Sequence, residues 1–136
     1  MDAINIWSIV VASVVAFAIG AIWYSPILFG KEWMALNKMT DKDISDTQMK
    51  GVAWFYVIQF IITLVSFCVL GFAVNAFGTY TASDGAFLGL LAWVGFVLPI
   101  GVSALMWEKK PFKLILINMI CTLLTLVVGG AIIGAW

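Results

Sequence analysis

The chain has 136 residues, 64% hydrophobic and only 10% charged, and its seven lysines are balanced by seven acidic residues. A soluble domain carries about 25% charged residues, and a chain this short cannot hide so much apolar surface from water; its solvent is lipid. Having no arginine and no histidine, it lacks a nucleic-acid footprint and a Cys/His metal set, and Cys68 and Cys121 sit in apolar runs as small hydrophobes rather than as a disulfide framework.

Charges punctuate four uncharged runs, residues 3–30, 51–83, 85–107 and 114–136. About 20 apolar residues cross about 30 Å of hydrocarbon, so each run holds one crossing and none comfortably holds two. The sequence therefore predicts an all-α integral membrane protein. Residues 1–136 form one four-helix transmembrane domain, with spans near 4–24, 52–76, 86–106 and 113–135. The first run does not read as a signal peptide. Asp2 is the only charge before Lys31, so a positive n-region is missing, and the apolar stretch outruns an h-region of about 7–15 residues.

Span 1 carries small residues at spacing four, Ser8, Ala12, Ala16 and Gly20, which let helix backbones approach closely. It ends in an aromatic elbow made of Trp23, Tyr24, Pro26, Phe29 and Trp33. Trp23 and Tyr24 suit headgroup depth, and Ser25-Pro26 breaks the helix. Leu28, Phe29, Trp33, Met34 and Leu36, alternating with Lys31, Glu32 and Lys38, suit a short segment lying in the interface plane. We expect this elbow to pack against the 107–113 turn. Further on, Thr40-x-x-Asp43 and Ser45-x-x-Gln48 match capping boxes, so the second long helix is expected to start near Asp41 to Asp46, ahead of the membrane.

Span 2 contains Gln59, Thr63 and Ser66. Ser83 or Asp84 is expected to cap span 3, which opens with Gly85-x-x-x-Gly89. Pro99 should kink span 3, with Ser103 as a candidate to satisfy the freed carbonyl. Trp93 lies inside the same span, so its indole N–H needs a buried acceptor. Pro111 suits the first turn of span 4. There Asn118, Thr122 and Thr125 share a face that Gly129 continues, and Gly130-x-x-x-Gly134 closes the span.

All seven lysines fall in the loops 31–50 and 107–113, which four spans place on one side. The positive-inside rule makes that side cytoplasmic, with both termini outside an inner (plasma) membrane. No ionisable side chain lies in the middle of a span, which argues against a proton relay or a voltage sensor. A path for water, a neutral solute or a carbonyl-coordinated cation stays open. The polar candidates are Ser25, Gln59, Thr63, Asn118 and Thr122. They either join helices, at about 0.6–2 kcal/mol per hydrogen bond, or line a cavity, and joining is the commoner use. Glu32 and Glu108 form an acidic pair only if their loops converge. No nucleophile–base pair, metal cluster or phosphate loop is visible, so no enzyme and no cofactor are expected.

With these residues laid out, the chain resembles an uncharacterised family of small bacterial four-span membrane proteins, domain-of-unknown-function family 1761. The resemblance rests on Gly20-Ala-Ile-Trp-Tyr-Ser-Pro-Ile-Leu-Phe-Gly-Lys-Glu-Trp-Met34. It is supported by Trp93-Val-Gly-Phe-Val-Leu-Pro99, Glu108-Lys-Lys-Pro-Phe112, Ile117-Asn118 and Gly130-Ala-Ile-Ile-Gly-Ala-Trp136. It implies an inner-membrane protein of this topology and transfers no site residue. The function expected from the residues is a homo-oligomeric bundle giving a pathway or pocket for a small solute, ion or lipid. The alternative is an accessory protein that docks a membrane partner through its small-residue stripes or cytoplasmic loop. Membrane lipids and further copies of the chain are the expected partners.

Overall fold

The computed structural model describes residues 4–38 and 52–136. The capping boxes at 40–48 and the early start of the second long helix lie outside those residues. Among the described residues there are five helices and no strand: α1 (Ile6–Trp23), α2 (Gly30–Leu36), α3 (Val52–Ala76), α4 (Ala82–Trp107) and α5 (Phe112–Ala135). All but α2 are long and apolar enough to cross a membrane. The short helix after α1 occupies the stretch expected to be interfacial.

Local chemistry sets the helix starts. Asn5 Oδ1 accepts the backbone N–H of Trp7 at 2.9 Å and begins α1. Thr81 begins α4, its Oγ1 accepting the N–H of Asp84 at 3.1 Å. The cap is therefore Thr81, not Ser83 or Asp84. Asp84 falls instead in the first turn, where its charge complements the helix dipole. Pro111 lies one position before the first turn of α5, as the residue that leads into it.

Helix α5 is the hub, packed against each of the other four helices. Its contact with α4 is backbone to backbone and antiparallel. A Cβ at Gly85 would overlap the Gly130 carbonyl, one at Gly89 the Leu126 carbonyl, and one at Gly134 the Thr81 carbonyl. Helices α1 and α3 also run antiparallel, Gly71 near the end of α3 lying against Ile4 and Ile9 at the start of α1. Their shared core is Ile9, Ala12 and Ala16 from α1 with Phe67, Leu70 and Val74 from α3, closed by Ile133 of α5. Ser8 and Ser13 are buried there and satisfied within their own helix, each hydroxyl donating to a backbone carbonyl at 2.7 Å.

Within α4 the path changes at Trp93–Val97, a π turn, before α-helix resumes at Leu98. Pro99 has no N–H to offer the carbonyl four residues back. The chain absorbs this by widening the turn just upstream, Leu98 N–H reaching Trp93 O. Ser103, the expected donor, is exposed on the helix surface instead. The Trp93 indole does find an acceptor, a half-buried one, donating to Met119 O at 2.9 Å across to α5. These antiparallel pairings bring the described lysines, Lys31, Lys38, Lys109, Lys110 and Lys113, to one end of the bundle.

Candidate functional site

The elbow residues fold into a closed unit that fastens α1 to α5. The N–H of Phe29 returns to Trp23 O at 3.1 Å and that of Gly30 to Ser25 O at 2.9 Å. A Cβ at Gly30 would run into the backbone of Tyr24 and Ser25, so only glycine lets the chain turn this tightly. The Trp23 and Phe29 rings lie 4.6 Å apart, and the Tyr24 and Trp33 rings meet edge-on at 5.9 Å. From this unit Trp23 Nε1 donates to Ile117 O at 3.1 Å, and the Tyr24 hydroxyl donates to Asn118 Oδ1 at 2.8 Å. Pro26 sits exposed on the outer side of the turn.

Lys113, the last residue of the 107–113 turn, pairs with Glu32 of α2 at 2.9 Å. The elbow thus touches that turn at its end, while its indole and phenol bonds fall on the following turn of α5. Glu108 pairs with Lys110 at 3.0 Å, so the two glutamates are held by different lysines.

Beside the elbow, α1, α3 and α5 enclose a cleft of about 790 Å³. Helix α1 contributes Ala16, Phe17, Gly20, Ala21 and the terminal Tyr24. Helix α3 contributes Tyr56, Gln59, Ile62, Thr63, Ser66 and Phe67. Helix α5 contributes Cys121, Thr122 and Thr125. The α3 residues recur every three or four positions and so make one helical face. The cleft runs from the lysine-bearing end to the middle of the bundle, since it uses the last half of α1, residues 56–67 of α3 and residues 121–125 of α5. Towards the opposite end the same helices close on the Phe67 core.

Among the described residues, no charged side chain lines the cleft. Its polar groups are hydroxyls and one amide. Thr63 donates to Gln59 O, Ser66 to Ile62 O, Thr122 to Asn118 O and Thr125 to Thr122 O, all between 2.8 and 3.0 Å. These side chains were expected to bond between helices. They bond within their own helix instead, which leaves the lone pairs of the hydroxyl oxygens to the cavity. The Gln59 amide has no hydrogen-bond partner among the described residues. Gln59, Tyr56 and Ser66 are exposed, so the cleft is open rather than sealed. Phe17 leans edge-on against Tyr56 and Phe60, at 6.1 and 5.9 Å, and holds α3 off α1 at this level.

Of the polar candidates, Gln59, Thr63 and Thr122 converge on the cleft. Asn118 lies beside it and joins α5 to the elbow. Ser25 is not part of the lining, because its hydroxyl caps α1 by donating to Ile22 O at 2.7 Å. Among the small residues, Ala12 and Ala16 are buried against α3, and Gly85, Gly89, Gly130 and Gly134 form the α4–α5 contact. Gly20 continues the α1 stripe in sequence but touches no neighbour, since a Cβ there would meet nothing within 4 Å. It forms cleft wall instead of a helix contact. Spacing could not find Cys121, Tyr56 or Phe17 as lining, because each looks like ordinary apolar or interfacial sequence.

The family model for DUF1761, a protein of unknown function, matches residues 7–134. No curated protein and no solved structure matches the chain.

Proposed function

This chain is a member of the DUF1761 family, and we propose that its cleft takes up and passes a small neutral solute that forms hydrogen bonds. The observation that carries this reading is the polar lining of the cleft, uncharged among the described residues, with hydroxyls from α3 and α5 and the Gln59 amide. An ion stripped of water would need fixed charges or a ring of free carbonyls, and the lining supplies neither among the described residues. A lipid tail would gain nothing from six hydroxyls and an amide. A solute with several hydroxyl or amide groups matches them and pays little to leave water.

The proposal includes the setting. The lysine-bearing end is the cytoplasmic one, both termini face outward, and the membrane is the inner one. The chain acts as a homo-oligomer. Helix α4, the least buried of the four long helices, supplies the contact between copies. It carries a solute without transforming it, so it is not an enzyme. Osmotic flux into proteoliposomes tests the reading. Glycerol or urea should enter vesicles holding the chain faster than protein-free vesicles, with sodium and chloride entry unchanged. Equal neutral-solute entry with and without the chain would overturn it.

A further inference from the structure

A second cavity, of about 240 Å³, lies at the opposite end of the bundle and is lined by the same three helices. Asn5 and Ser8 of α1, Gly71 and Asn75 of α3, and Ile133 and Gly134 of α5 bound it, together with Thr79 and Tyr80. At about 30 Å³ per water, it has room for roughly eight waters or one small polyol. Among the described residues, no charged side chain lines it either.

The two cavities lie in register along one seam. On α1 the lining passes from Ala16 and Gly20 to Asn5 and Ser8 with Ala12 between them, all on one face. On α3 it passes from Phe67, which bounds the first cavity, to Gly71, which bounds the second. At 1.5 Å per residue, those two positions stand only about 6 Å apart along the helix. Thr125 and Ile133 on α5 are separated by about 12 Å on the same reckoning. A barrier one or two helical turns thick therefore divides the cavities.

Its centre is Phe67, 2% exposed and the largest fully buried side chain among the described residues. The ring occupies the space that a side chain at residue 129 would otherwise fill: a Cβ on Gly129 would overlap the Phe67 ring edge. Ala12, fully buried, belongs to the same core. Phe67 is the one aromatic ring in that core, which it shares with Ile9, Leu70 and Ile133, and it is the part seated directly over a glycine.

We propose that the two cavities are the halves of one solute path through a single subunit, and that the Phe67 ring seated on Gly129 is its gate. This inference rests on the solute-cleft reading above and adds where the path runs and what closes it. The second cavity narrows the solute class to neutral, hydrogen-bonding molecules of about glycerol size.

Cysteine accessibility in oriented proteoliposomes tests it on the full chain. The background is Cys68→Ser with Cys121→Ser, and the reporter is Thr122→Cys in the cleft. A membrane-impermeant cationic methanethiosulfonate is added from one side at a time. With Phe67 present, labelling is expected from the lysine-bearing end only. Phe67→Ala should make the reporter reachable from the termini end, with at least a tenfold rise in rate and faster glycerol entry. Phe67→Leu, a milder core change, should give a smaller rise of the same sign and decides the matter if the alanine variant does not fold. Labelling from the termini end that stays unchanged in folded Phe67→Leu, or is already fast with Phe67 present, overturns the gate and leaves the cleft standing. No labelling from the lysine-bearing end in any variant overturns the cleft reading itself.

Discussion

Gly20 and Gly30 bracket the most distinctive stretch of the chain, and they do opposite work. At Gly30 a methyl group has nowhere to go, because the backbone of Tyr24 and Ser25 already occupies its place. At Gly20 a methyl group meets nothing. Gly30→Ala is therefore expected to open the elbow and loosen Trp23 and Tyr24 from α5. The loss combines overpacking, about 1–3 kcal/mol, with hydrogen bonds worth about 1 kcal/mol each. Gly20→Ala should leave stability unchanged or slightly raised, since alanine is the better helix former by about 1 kcal/mol. Unfolding of the two variants in mild detergent checks the contrast, and equal losses would contradict it. Spacing alone could not separate these glycines. The small-residue stripe was visible on α1, but whether a helix lies against a given step of it depends on how far α3 leans away, which no local pattern encodes.

At the scale of the element, α4 and the elbow show two kinds of legibility. Pro99 announced a disturbance in the third span, and the missing N–H gave its reason. The form of the relief, a π turn over Trp93–Val97, was not readable, because several backbone adjustments can absorb one lost hydrogen bond. The need of the Trp93 indole for an acceptor was readable from its position, and Met119 O meets it. Trp93→Phe keeps an aromatic ring and removes that donor. It is expected to destabilise the α4–α5 pair by about 0.5–1.5 kcal/mol, read as a lowered melting temperature in detergent with helix content unchanged. The elbow's aromatic residues read as membrane anchors, yet Trp23 and Tyr24 also bond to residues 94 positions further along the chain. Sequence pattern reports what an element is made of far better than what it reaches.

For the molecule as a whole, four spans and a lysine-bearing end were legible because charge and run length carry them directly. The cleft was not. Its polar lining is spread over α3 and α5, and the hydroxyls that looked like links between helices are spent on their own backbones. The cavity exists because α3 packs tightly at Phe67, Leu70 and Val74 and stands away at Gln59 and Thr63. That is a property of helix geometry set partly by the Phe17 contacts. The same seam then closes over the Phe67 core for one or two turns, with a smaller cavity beyond it, and the proposed path joins the two.

The central claim is that this cleft carries the solute, and it is tested most directly by removing its polarity without changing its shape. Gln59→Leu with Thr122→Val takes away the amide and one hydroxyl at nearly constant volume. In proteoliposomes, glycerol entry should fall to the protein-free rate while the double variant keeps its helix content and detergent stability. Glycerol entry undiminished in that folded double variant would contradict the account.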